Sequence, residues 1–213
     1  MVDEQTLLTL WQELRERLSA KRLLEGPAPS LSLRIPGGDA MWFGTTADAD
    51  PIRMTWRGLP AAERGNGLHA AVYEVRDDVC AAASGGGAFG RRLADFGGAM
   101  PGVFDEQVRH LGAMAPPVQG AAGLARALHG GGNVLLVQGQ PVVTGMTGAR
   151  LALNAELFEK CAKAYVLAVA GGGPVRPLPW IVRHVANGRL LKDEKRVRMR
   201  ARAGLLPEEI KGY

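Results

Sequence analysis

Leu68-His69-Ala70-Ala71-Val72-Tyr73-Glu74-Val75-Arg76-Asp77-Asp78-Val79-Cys80-Ala81-Ala82-Ala83-Ser84-Gly85-Gly86-Gly87 is the stretch on which the fold turns. Its first part, residues 68–76, has helical spacing, with His69, Val72 and Tyr73 on one inward face. Residues 79–83 are an apolar run of strand length, and the glycines after it lead into a predicted helix over residues 88–96. Backbone amides between a buried strand and a helix N-terminus can gather an anion, so Ser84, Gly85 and Gly86 are candidate anion-binding residues, with Arg91 or Arg92 as counter-charge. The alternative reading is a turn relieved of bulky side chains. No Gly-Lys-Ser/Thr follows, which argues against nucleotide hydrolysis.

Working outward, Leu7, Leu10, Trp11, Leu14 and Leu18 recur at helical spacing and predict an amphipathic opening helix that ends near Gly26-Pro27. Residues 30–35 alternate as a strand, Pro36-Gly37-Gly38-Asp39 is turn chemistry, and residues 41–44 complete a hairpin. Residues 52–56 are a third short strand. Downstream, a short helix over 105–111 sits among glycine- and proline-rich passages, and 118–128 reads as an Ala-rich helix. Strands over 134–137 and 142–144 bracket a turn at Gly139-Gln140-Pro141. The longest helix, 148–170, stops at Gly171-Gly172-Gly173-Pro174. The sum is an α/β chain of three layers, αβα, with a mostly antiparallel central sheet covered by helices, because hairpins rather than regular βαβ units join the early strands.

Composition narrows the function classes. A 213-residue chain that is 46% hydrophobic and 22% charged can bury a core in one domain, so residues 1–213 are read as a single domain. No apolar run reaches membrane-spanning length and the start, Met1-Val2-Asp3-Glu4, is no signal peptide, so a cytoplasmic protein with no membrane partner is expected. Cys80 and Cys161 lack metal or redox spacing and are expected as buried thiols. The net charge of +5 gathers between Arg183 and Arg202, but no aromatic interleaves that basic run, so nucleic-acid binding is not favoured.

The order and identity of these pieces resemble the class II aldolase/adducin family from Leu7 to about Ala170. The matching pieces are Leu31-Ser32-Leu33-Arg34, Leu68 to Tyr73 with Arg76-Asp77-Asp78-Val79, Asn133 to Val137 with Thr144-Gly145, and an Ala-rich helix bearing Glu156 and Glu159. The resemblance implies a zinc ion held by three histidines, which polarises substrate oxygens and stabilises an enediolate. In this sequence those positions fall on Ser84, Gly86 and Gly139, the acid/base carboxylate on Gly65, and the phosphate-binding turns on Pro29-Ser30 and Glu63-Arg64-Gly65-Asn66. A catalytic zinc needs three strong donors and an open position, so the inherited site is expected to be lost, with no cofactor in its place. Only Gly44-Thr45-Thr46 still resembles a phosphate-binding loop.

What remains for chemistry is sparse. The four histidines, His69, His110, His129 and His184, show no chelating spacing. If a rebuilt cleft carries catalysis, His69, Tyr73 and His110 are the candidate catalytic residues, with Arg64 as an anion contact; His69 alternatively reads as a core histidine and His110 as surface. The favoured expectation is a degenerate, metal-free pseudoenzyme that binds a small molecule or a protein. A metal-independent lyase for retro-aldol cleavage or decarboxylation is the alternative, and nucleic-acid binding through the basic segment a second. The family resemblance implies a homo-oligomer, a tetramer, and the apolar run Pro177-Leu178-Pro179-Trp180-Ile181-Val182 predicts that residues 174–213 form a tail packing on a neighbouring subunit.

Overall fold

The computed structural model describes residues 4–56 and 67–208. Helix α1 (Glu4–Ala20) turns Leu7, Trp11, Leu14 and Leu18 inward, as its periodicity predicts. Strands β1 (Glu25–Arg34), β2 (Ala40–Thr45) and β3 (Ile52–Thr55) follow, then α2 (Gly67–Val75), β4 (Ala81–Gly86) and α3 (Ala88–Arg92), which tightens into a 3-10 turn over Leu93–Phe96. The chain continues through α4 (Asp105–Leu111), α5 (Ala121–His129), β5 (Val134–Val137), β6 (Gln140–Gly145), α6 (Gly148–Ala170) and α7 (Trp180–Arg202).

The six strands form one sheet in the order β3-β2-β1-β4-β6-β5, with every neighbouring pair antiparallel. Side chains alternate across it. Leu31, Leu33, Ala81, Ala83 and Val143 meet Trp11, Leu18, Leu151 and Phe158 on one face. Ala82, Leu135 and Val142 meet Ala70, Val72, Tyr73, Leu124 and Leu128 on the other. The three-layer expectation therefore holds. Among the described residues no helix is long and apolar enough to cross a membrane.

Several local readings change, the first being the end of α1, expected near Gly26-Pro27 and found at Ala20, because Gly26 and Pro27 already lie in β1. The glycine run is the buried end of a strand rather than a turn, because small side chains there let β1 pass close: a Cβ on Gly85 would lie 3.0 Å from the Glu25 carbonyl oxygen. The hairpin turn is Gln138-Gly139, both at positive φ (50° and 77°), so β6 already begins at Gln140. Helix α5 starts at Ala121, because Val118 pairs with the edge of β5: its N–H donates to the Leu136 carbonyl and its own carbonyl accepts from Gln138. That contact covers an edge that would otherwise present unpaired amides.

The C-terminal segment, expected on a neighbouring subunit, has a face for its own chain. Helix α7 lays one face on its own chain, packing Leu190, Val197 and Ala201 against Cys80 and Met146 where β4 begins and β6 ends. Charges fasten the contact. Buried Arg76 grips Asp78 (2.6–3.1 Å) and reaches Glu194 of α7 (3.1 Å), while Arg198 and Arg202 of α7 pair with Asp78 and Asp77. The outer face leaves Trp180, Ile181, Val185 and Leu191 exposed. Cys80 and Cys161 are free buried thiols, as expected.

Candidate functional site

Ser84, Gly86 and Gly139 lie at one end of the sheet, where β4 finishes and the β5–β6 turn closes. A Cβ on Gly86 would sit 2.8 Å from Pro141 Cγ and 3.2 Å from its Cβ. The space for a side chain at this position is thus filled by the proline ring. Gly139 has a left-handed backbone (φ 77°) that a side chain rarely adopts. A serine hydroxyl and two glycines supply no strong donor, so the residues present do not fit a zinc ion. Among the described residues no group of three or more His, Cys, Asp or Glu could hold a metal elsewhere.

The anion-binding candidates are occupied by the chain's own carboxylates. At Gly44-Thr45-Thr46, Asp48 Oδ2 accepts from the Thr45 N–H (2.7 Å) and hydroxyl (2.8 Å), and the Thr46 N–H donates to the Pro29 carbonyl. The Thr45 amide first, and its hydroxyl next, hold the Asp48 carboxyl below its ordinary range. Gly44 is a glycine because the Trp11 ring lies on it, 2.6 Å from a hypothetical Cβ. At the start of α3, Glu159 accepts from the Phe89 and Gly90 N–H groups, both at 2.8 Å. The expected counter-charges are also engaged, Arg91 with Glu25 and Arg92 with Asp95. Ser84, Gly85 and Gly86 are buried in the ladder. Arg64 and Gly65 lie outside the described residues.

His69 and Tyr73 project from α2 onto β1 and meet a polar row that sequence reading missed. Ser30 Oγ lies 2.9 Å from His69 Nε2, Ser32 Oγ lies 2.7 Å from Nδ1, and the Tyr73 hydroxyl is 2.8 Å from Ser32 Oγ and donates to the Ser32 carbonyl. The signal was the alternation Ser30, Ser32, Arg34, which puts three polar side chains on one strand face. Arg34 continues the row, its guanidinium 4.9 Å from the Tyr73 ring and 5.3 Å from the Trp56 ring, donating to the Tyr73 and Arg76 carbonyls at the end of α2. Burial pushes the His69 imidazole down to about 4 and raises the Tyr73 phenol. With both ring nitrogens bonded and the side chain sealed, His69 is a core histidine at neutral pH.

His110 stands elsewhere. It belongs to α4, whose end hydrogen-bonds the start of β5, opposite to the end that carries Ser84 and Gly86. Helix α2 covers one face of the sheet and α6, to which His110 bonds through Arg150, covers the other, so the structure does not bring His110 together with His69 and Tyr73 in one cleft. Its Nδ1 lies 2.7 Å from Arg150 Nη1. Burial, then Arg150 and Arg109, lowers its pKa. It lines a cleft between α4 and α7.

Comparison with solved structures agrees with this architecture. The chain superposes on YgbL of Escherichia coli with a TM-score of 0.69 at 20% identity, over 86% of this chain and 99% of that one. L-fuculose 1-phosphate aldolase of Glaciozyma antarctica gives 0.68 at 16% identity over 96% and 93%, and an aldolase II superfamily protein of Pseudomonas syringae 0.65 at 11% over 98% of each. The chain thus has the class II aldolase fold. At these identities the likeness is one of fold. No protein-family model and no curated protein matches the sequence.

Proposed function

We propose that this chain is a metal-free protein on the class II aldolase scaffold that acts by binding a small molecule rather than by zinc-dependent carbon–carbon cleavage. The observation that carries the reading is Pro141 packed on Gly86, together with Ser84 and Gly139 at the other two ligand positions of the resemblance. Gly65 at the position of the acid/base carboxylate points the same way. A metal-independent lyase is the weaker reading, since His69 and Tyr73 are committed to the core. Nucleic-acid binding is weaker too, since Arg198 and Arg202 of the basic helix are paired to Asp78 and Asp77 and no aromatic residue interleaves its remaining cations. A cytoplasmic homo-oligomer, tetrameric by resemblance, completes the proposal.

The test is elemental analysis of untagged protein with a retro-aldol assay on L-fuculose 1-phosphate, with and without added zinc. The expected result is metal far below one ion per chain and no zinc-dependent cleavage. One tightly held metal per chain, or turnover that zinc restores, overturns the reading.

A further inference from the structure

The cleft between α4 and α7 holds positive charge that the fold leaves unused. Arg109 of α4 and Arg189, Lys192 and Arg196 of α7 line a space of ≈ 600 Å³. Spacing of three and four residues puts the α7 cations on one stripe. Among the described residues none of these four cations makes an ion pair or a side-chain hydrogen bond, in contrast to Arg198 and Arg202 on the same helix. Three carboxylates share the cleft, Asp105, Glu106 and Asp193, and Glu106 is drawn to Lys160 at 3.5 Å. His110 adds a donor of defined identity. A guanidinium can only donate, so the Arg150 contact makes Nδ1 the acceptor and places the imidazole proton on Nε2.

The charged cleft is continuous with an apolar one. A second cavity of ≈ 310 Å³ shares Asp105, Arg109 and Arg189 with it and is otherwise walled by Ile181, Val182, Val185 and Ala186. Ile181 and Val185 are 57% and 54% exposed, a cost in water that a bound apolar group would relieve. We infer that this double groove binds a small organic phosphate, its phosphoryl oxygens among Arg109, Arg189, Lys192, Arg196 and His110 and its apolar part over Ile181, Val182 and Val185. Several cations around a concave space suit a dianion, and guanidinium groups pair phosphate bidentately. The inference rests on the reading of the chain as a binder and gives it a site, at the end of the sheet away from Ser84, Gly86 and Gly139.

The full chain is titrated with inorganic phosphate and with phenyl phosphate at constant ionic strength, by calorimetry and by the His110 imidazole nitrogen resonances. Both ligands are expected to saturate and to shift the Nε2 signal. Phenyl phosphate should bind at least about fourfold more tightly, the effect of burying roughly one methylene equivalent. Lys192→Glu with Arg196→Glu should weaken both ligands by about tenfold or more. Ile181→Ser with Val185→Ser should remove the preference for phenyl phosphate and leave phosphate binding. All four side chains are exposed, and circular dichroism with thermal midpoints checks that the variants fold. No saturable binding of either ligand, or charge reversal without effect, overturns the inference; so does a short single-stranded oligonucleotide that binds more tightly than phenyl phosphate through the same cations. The metal analysis is a separate readout: a metal-free chain that binds no phosphate loses this groove but not the binder reading.

Discussion

Single residues decide what this scaffold can hold. Gly86 is the clearest case, because its backbone is ordinary and only Pro141 forbids a side chain there. Gly86→Ala would normally gain about 0.4–1 kcal/mol from a stiffer unfolded chain, but a contact of 2.8 Å forces the proline or the strand to move, at about 1–3 kcal/mol. The clash should win. Urea denaturation is expected to show a lower midpoint, and an unchanged or raised one would refute the packing. His69 makes a second prediction. Its folded pKa near 4 lies below the ordinary value of 6.5, so the unfolded chain takes up a proton that the native chain refuses. That contribution is intact above pH 6.5 and is lost as pH falls, reaching roughly 3 kcal/mol by pH 4. His69→Asn should flatten this part of the profile when unfolding is compared at pH 7 and pH 4.5; an unaltered slope would show that another group is responsible.

At the scale of elements, two charged contacts hold helices in place, the first of them where an anion was expected. Glu159 of α6 caps α3, whose first amides have no partner inside the helix. Glu159→Gln replaces an acceptor by a donor facing an N–H and removes charge from the positive end of α3. A loss of about 1–2 kcal/mol is expected in thermal or urea unfolding. Helix α7 is fastened by Arg76, which Asp78 engages with three contacts and Glu194 with one. Arg76 thereby outweighs burial at Asp78, whose pKa falls, whereas burial prevails at Glu194 and lifts it to about 7. Here the native state keeps a proton that the unfolded chain releases, so stability falls as pH rises from the ordinary 4.5 through 7. Glu194→Gln still accepts from Arg76 and removes that pH dependence. Relative to the parent, it should be more stable at pH 8 than at pH 5, and the reverse ordering would refute the assignment.

For the whole molecule, β4 separates two ends with different business, the closed glycine end and the end covered by α4 and α7. Sites so far apart share no partners, so Gly86→Ala and Glu194→Gln together should change stability by the sum of their separate effects within about 0.5 kcal/mol. A larger departure would mean that strain travels along β4. The layered order was legible because periodicities of two and near four report burial directly: α1, the hairpin of β1 and β2, β6 and α6 all follow their apolar pattern. That Ser84, Gly86 and Gly139 offer no strong zinc donor could also be read from residue type alone, since glycine offers no ligand whatever surrounds it. Tertiary structure decided the rest. Whether Gly85 and Gly86 line a cleft or a core depends on where β1 and Pro141 pass; whether Thr45 or α3 can take an anion depends on Asp48 and Glu159. Whether His69 and His110 share a site depends on which element of the sheet each helix covers. These are contacts between residues distant in the chain or set by side-chain direction, and local sequence pattern carries no record of them.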